Sequence, residues 1–358
     1  MMNRIFGLLM IFGLSFGASA CAEDIDIIEE EVGHTEEDFD AAEYAIHHAL
    51  DAHDIHIADG FVIPLPVILY TDNGLVTFMS SEFHHDDAGH HIVSKNGMNF
   101  VKIHEKIYQL EEGATEVVFN EEHHPENAHQ VAMDLSITKN TITMFLVAGL
   151  LLWLFIASAR KYKTGSVPRG IAKWTEPGVI FVQEIAKDNI EGDKYKRYTP
   201  FLLTLFFFIL FGNLLGLIPF LANPNMTGSI SMTLLLATIT FVVQMASSKG
   251  PFWKHILLPD APVWLYPILV PIEIAGIFIK PIALMIRLFA NITAGHIIVI
   301  SLIGIIFVNQ HAGWAGLSVP MTLFISTLEL LVAFLQAYIF TMLAALYIGS
   351  AVESGHHH

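Results

Sequence analysis

Long apolar runs separated by short polar breaks fill the second half of the chain. Thr141 to Ser158, Phe201 to Leu221 and Ile230 to Ala246 each have the length of a helix that crosses a hydrocarbon core. Val263 to Val308 is apolar almost without interruption, and Val319 to Gly349 follows it. At 1.5 Å per residue these two runs are about 69 Å and about 46 Å long as helices, against a core of about 30 Å. Neither fits upright. The longer run must tilt strongly, bend or begin along the interface, and Pro267, Pro271 and Pro281 offer places to break. The connector, Asn309 to Ser318, is short and holds no Lys or Arg, so the pair reads as an antiparallel hairpin far from the membrane normal. The pattern predicts five spans, at about 141–158, 201–221, 230–246, 263–308 and 319–349.

The first half has a different grammar. Arg4, an apolar run from Ile5 to Phe16 and Ala18-Ser19-Ala20 form a secretory signal peptide over residues 1–20. Cys21 follows at once. Lipid attachment there and ordinary cleavage beside a bystander thiol both remain open, because Ala18 stands where lipoprotein signals usually carry Leu. Glu23 to Asp59 reads as acidic, partly helical or disordered material. Val67 to Met79 and Ile92 to Val101 are β-rich runs folded around Asn-Gly, the strongest short hairpin signal. The expected organisation is a signal peptide, an acidic His-rich extracytoplasmic segment with β-hairpins over 21–134, and a membrane domain over 135–358.

Charge sharpens this division. The net charge is −17, yet 26 of the 35 acids and 13 of the 19 His lie between Glu23 and Asp134. Nine of the 18 Lys and Arg fall between Arg160 and Arg197, which places that connection in the cytoplasm. Within it, Ile171 to Ile190 reads as an amphipathic helix on the membrane surface. The exported N-terminus gives the same orientation independently: N-terminus outside, C-terminus inside. The single Cys21 excludes a disulfide framework and a Cys-based metal site. His84-His85-Asp86-Asp87 with His90-His91, and His123-His124 with His129, carry donors for a divalent metal. A solvated buffering surface is the favoured reading, because the clusters lack a closed ligand spacing.

The candidate chemistry sits in the hairpin. Arg287 is the one fixed positive charge between Pro281 and His296. A guanidinium stays protonated at any cellular pH, and placing one at membrane depth costs several kcal/mol on any scale. A side chain that reaches a headgroup is the alternative. The partner run carries one acid, Glu329, and one amide, Gln336. In an antiparallel hairpin, facing residues have numbers of constant total, and His296 with Glu329 and Arg287 with Gln336 agree to within two. The rare polar groups of each helix are therefore level with those of the other, as groups in hydrocarbon require. Arg287, Asn291 and Gly295 recur every four residues and share a face, whereas His296 lies about half a turn away.

Arg287-Leu-Phe-Ala-Asn291 with Ala294-Gly295, Leu335-Gln336-Ala337 with Tyr338 and Phe340, Phe211-Gly-Asn213-Leu-Leu-Gly216 with Pro219, and Asn225-Met-Thr-Gly228 together resemble subunit a of F-type ATP synthases. The likeness covers about residues 135–352. Many bacterial members carry Glu after Ala-Gly and His on the last helix. Here the order is His296 and Glu329, similar to the mitochondrial arrangement. The small N-terminal periplasmic β-containing extension, read from its own residues, lies outside the family's common core. The resemblance implies an all-α polytopic protein of the bacterial cell inner membrane. It implies a c-ring, a subunit b stalk and, indirectly, the F1 sector as partners, and neither a cofactor nor nucleic acid. It also implies proton translocation through two half-channels separated by Arg287. His296 and Glu329 would serve the outer one and Glu273 the inner one, while Asn291 and Gln336 orient Arg287. Glu273 also reads as a headgroup-level acid, and Asn213 as helix packing. No nucleotide-binding loop is visible, so the chain itself reads as non-catalytic. The competing class is a secondary transporter holding an anionic substrate on Arg287, which predicts internal repeats that the sequence does not contain.

Overall fold

The computed structural model describes residues 51–352, apart from 59–60, 72–73, 85, 112, 115, 121–124, 132, 165–169, 218–225, 259–260, 309–312 and 314. The signal peptide, Cys21, most of the acidic stretch before Asp59, His85, His123, His124 and the terminal His residues lie outside the described residues. The chain divides into two units, residues 1–144 with 216–225 and 296–326, and residues 145–215 with 226–295 and 327–358.

In the first unit, short strands alternate apolar and polar side chains. β1 (Asp54–Ala58) pairs antiparallel with β2 (Phe61–Pro64). The stretch expected to be helical or disordered is thus a strand over its described end, where Ile55 and Ile57 alternate with Asp54 and His56. β3 (Pro66–Thr71) and β4 (Gly74–Met79) form the hairpin read from the Asn-Gly at 73–74, and β9 (Met133–Asp134) pairs on the other side of β3. β5 (Val93–Lys95), β6 (Met98–Ile103), β7 (Lys106–Leu110) and β8 (Ala128–Gln130) form a second antiparallel sheet in that order. Asn96 and Gly97 turn β5 into β6 with φ of 53° and 79°, the two left-handed residues a two-residue hairpin needs. Val67, Leu69, Val76 and Phe78 of the first sheet pack with Val93, Phe100 and Ile107 of the second, so the two sheets share a dry core.

The helices follow the apolar runs. α1 (Lys139–Thr164), α3 (Tyr195–Gly216), α4 (Ile230–Ser247), α6 (Tyr266–Val308) and α7 (Ala315–Val352) are the five long and apolar enough to cross a membrane. α2 (Ile171–Asn189) and the eight-residue α5 (Gly250–Leu257) join them. α5 is not among the elements expected from the sequence, although Pro251 in its first turn is a helix-start signal. α6 is one helix of 43 residues, with Pro271 and Pro281 inside it, so neither proline ends it. α7 begins at Ala315, four residues before the expected Val319, and continues through Pro320.

In the second unit, α2 lays one stripe on its neighbours. Val182 and Ala186, with Ile190 just past its end, are buried among Leu202 and Leu205 of α3 and Ala344, Ala345 and Ile348 of α7. The Phe181 ring sits 5.9 Å from Phe206 and 5.5 Å from Tyr338. The apolar stripe that reads as membrane-facing is thus covered in large part by protein. Small residues permit close approach: a Cβ on Gly349 would lie 2.0 Å from the Asn189 carbonyl oxygen.

Candidate functional site

Arg287 is the central residue of α6, 21 positions from Tyr266 and 21 from Val308. Leu284 and Leu288 beside it are buried in the helical core, 1% and 0% exposed, and fix which face α6 turns inward. Arg287 itself is exposed, on a stripe with Ala283, Ala290, Asn291 and Ala294 that recurs at helical spacing. The small side chains around it leave the guanidinium open to whatever lies against this face.

The connection to α7 is made through amides. Asn291 donates from Nδ2 to Gln336 Oε1 at 2.9 Å, and Gln336 is 1% exposed. The expectation was that both orient Arg287. Among the described residues they bond each other, and the Gln336 Nε2 is buried without a hydrogen-bond partner. Ala333 and Ala337, one turn apart on α7, are buried and small enough for this approach. Asn213 of α3 also reaches α7, donating from Nδ2 to the Ala333 carbonyl at 3.2 Å. Asn213 Oδ1 accepts from Thr227 Oγ1 at 2.7 Å. Asn213 therefore braces α7. Thr227 was not singled out as its partner in the sequence, although it lies in the Asn-Met-Thr-Gly motif.

Glu329 is half-buried and lies against Gly295. A Cβ there would stand 2.5 Å from Glu329 Oε1 and 3.1 Å from its Cγ. The glycine makes room for the carboxylate, and both α6–α7 contacts follow the antiparallel order read from the sequence. His296 follows Gly295 in α6; its side chain lies outside the described residues. Glu273 is half-buried, fourteen residues before Arg287, which is about 21 Å along the helix. Lys280, between them, holds its Nζ 5.5 Å above the Tyr347 ring, a cation–π contact.

The first unit contains a separate charged cluster. His53 is 3% exposed, with Nδ1 3.6 Å from Glu105 Oε2 and Nε2 3.8 Å from Asp134 Oδ2. Lys102, also buried, reaches Glu105 Oε1 at 3.4 Å and Asp87 Oδ1 at 3.7 Å. Burial alone would lower the His53 pKa; the carboxylates of Asp134 and Glu105 outweigh it and raise it from 6.5 to about 9. Burial pushes Glu105 up, but His53 and Lys102 bring it down from 4.5 to about 2. Among the sequence-predicted His clusters, the rings of His84 and His91 meet edge-on at 4.5 Å. Asp86 accepts from the Ala88 and His91 backbone N–H groups. Among the described residues, no three His, Cys, Asp or Glu side chains converge as metal ligands would.

A family model described as "ATP synthase A chain" matches residues 141–349, and one described as "Domain of unknown function (DUF8433)" matches 44–135. A Myxococcus xanthus protein named ATP synthase subunit a is 48% identical over 233 residues, 63% of this chain and 76% of its own. One of the same name from Chloroherpeton thalassium is 46% identical over 233 residues, 63% of this chain and 69% of its own. A third, from Pelodictyon phaeoclathratiforme, is 45% identical over 249 residues, 66% of this chain and 72% of its own.

Proposed function

Because the chain belongs to the ATP synthase subunit a family, a multi-pass membrane component of that complex, we propose that Arg287 is the barrier between two half-channels serving the carboxylates of a c-ring. The observation that carries this is the position of Arg287: central in a 43-residue apolar helix, exposed, and flanked by small side chains. A carboxylate crossing lipid is costly as an anion. Beside a guanidinium it is stabilised as one, so it releases its proton on approach. The guanidinium gives up no proton of its own, so protons do not pass it without the carboxylate. Asn291 and Gln336 hold α6 and α7 together next to this point. Glu329, seated in the space left by Gly295, exchanges protons with the outer side together with His296. Glu273 serves the cytoplasmic side. The N-terminal segment is outside the cytoplasm, the C-terminus inside, and subunit b and the F1 sector complete the assembly.

Arg287→Ala is expected to abolish ATP-driven proton pumping in inverted membrane vesicles while the complex still assembles. Pumping at near wild-type rate would remove the role. Exchanging His296 and Glu329 is expected to retain more pumping than either single replacement by Ala; simple addition of the two single losses would argue against a pair.

A further inference from the structure

The three-stranded sheet β4-β3-β9 is apolar on both faces. Val67, Leu69, Val76 and Phe78 fill the core beneath it. Above it, Tyr70 lies directly between Leu75 of β4 and Met133 of β9, and all three are more than half exposed, at 55%, 58% and 55%. Leu135 and Met79 extend the patch at 52% and 41%. A sheet face of this kind is ordinarily covered.

The chain indicates what covers it. β9 runs into the first membrane helix with no slack. Leu135 donates its N–H to the Ile68 carbonyl at 2.8 Å, and Ile137 to the Pro66 carbonyl at 3.1 Å, so the ladder continues past Asp134. Thr138 then caps the helix, its Oγ1 accepting from the Thr141 N–H at 3.4 Å. Lys139 donates to the Ala52 carbonyl at 3.0 Å, and Asn140 to Asp51 Oδ1 at 3.1 Å. Ile137 is therefore two residues, about 7 Å, from the start of the span, and Met133 six residues, about 20 Å. The headgroup layer is roughly 5–8 Å deep on each side. One end of the face is held at that layer, and among the described residues this face carries no charged side chain. A tyrosine flanked by Leu and Met suits the boundary where one end of a side chain is apolar and the other wet.

We propose that this face of the β-module rests on the lipid surface, with Tyr70, Leu75, Met133 and Leu135 reaching into the headgroup and upper acyl region. The contact is independent of the proton path.

The test uses the intact complex in native membranes, with a photo-activatable amino acid replacing Leu75, Met133 or, as the control on the edge strand β8 of the other sheet, Gln130. Retained proton pumping shows that each variant has assembled. Lipid adducts at positions 75 and 133 are expected at least about fivefold above those at 130. Crosslinks from 75 and 133 to a protein, whether another subunit or this chain, would overturn the proposal. So would lipid adducts no more frequent than at 130.

Discussion

Glu105 occupies a backbone conformation that few glutamates adopt, with φ of 59°, and His104 before it has φ of 49°. Together they make the β6–β7 turn without the Asn or Gly such a turn favours, at a cost of order 1 kcal/mol or more for each residue. The buried cluster around the Glu105 carboxylate supplies a compensation that no local pattern advertises, so this hairpin could not be read from the sequence as Asn96-Gly97 could. The same cluster makes the module pH-sensitive. His53 is raised from 6.5 to about 9, so its contribution is complete below pH 6.5 and lost as pH rises through 9. Glu105 is lowered from 4.5 to about 2, so its contribution is complete above pH 4.5 and lost as pH falls through 2. Hydrogen-exchange protection of β6 and β7, corrected for intrinsic rates, is expected to be greatest between pH 4.5 and 6.5 and to weaken by on the order of 3 kcal/mol towards pH 9. His53→Gln should flatten that alkaline slope. In the membrane site, Gly295→Ala brings a methyl group to 2.5 Å from Glu329 Oε1 and must displace the carboxylate. Proton pumping is expected to fall by about tenfold or more with assembly intact, since small misplacements of reacting groups have effects of that size. An unchanged rate would show that Glu329 does not act from this seat.

At the scale of elements, the apolar runs and the α6–α7 order were legible, because hydrocarbon permits only helices there and the few polar groups must find one another. Helix ends were less so. α7 starts within the expected connector and α6 passes through two prolines, since an apolar stretch can carry a helix past a weak breaker. The burial of α2 was also hidden: an amphipathic stripe in sequence does not say whether lipid or protein will cover it. Gly349 decides in part. Its missing side chain lets α7 meet the Asn189 carbonyl at the end of α2, where a Cβ would stand only 2.0 Å away. Since backbone cannot swing aside as a side chain can, Gly349→Ala is expected to destabilise this packing by roughly 1–3 kcal/mol. A lower melting temperature of the purified chain and faster proteolysis near residue 190 would register it; equal values would mean that the two helices part easily.

At the scale of the whole molecule, the core between the two sheets and the core among the helices share no residue. They are expected to melt separately. Phe100, fully buried between the sheets, tests this. Phe100→Ala should cost about 3–5 kcal/mol in the β-module and leave exchange protection in α3 and α7 unchanged. Loss of protection in both would mean a single cooperative unit. The length of α6 has a consequence of another kind. Its 43 residues measure about 64 Å, and holding them within a core of about 30 Å inclines the axis by roughly 60° from the normal. On such a slope one turn changes altitude by only about 2.5 Å but shifts position sideways by nearly 5 Å. Numbering along this helix is closer to longitude than to depth. If Arg287 acts as proposed, moving it one turn either way would leave it deep in oil, yet a travelling acid would meet it early or late. The stagger of charge along α6 would then set the timing of proton release, as a cam sets a valve.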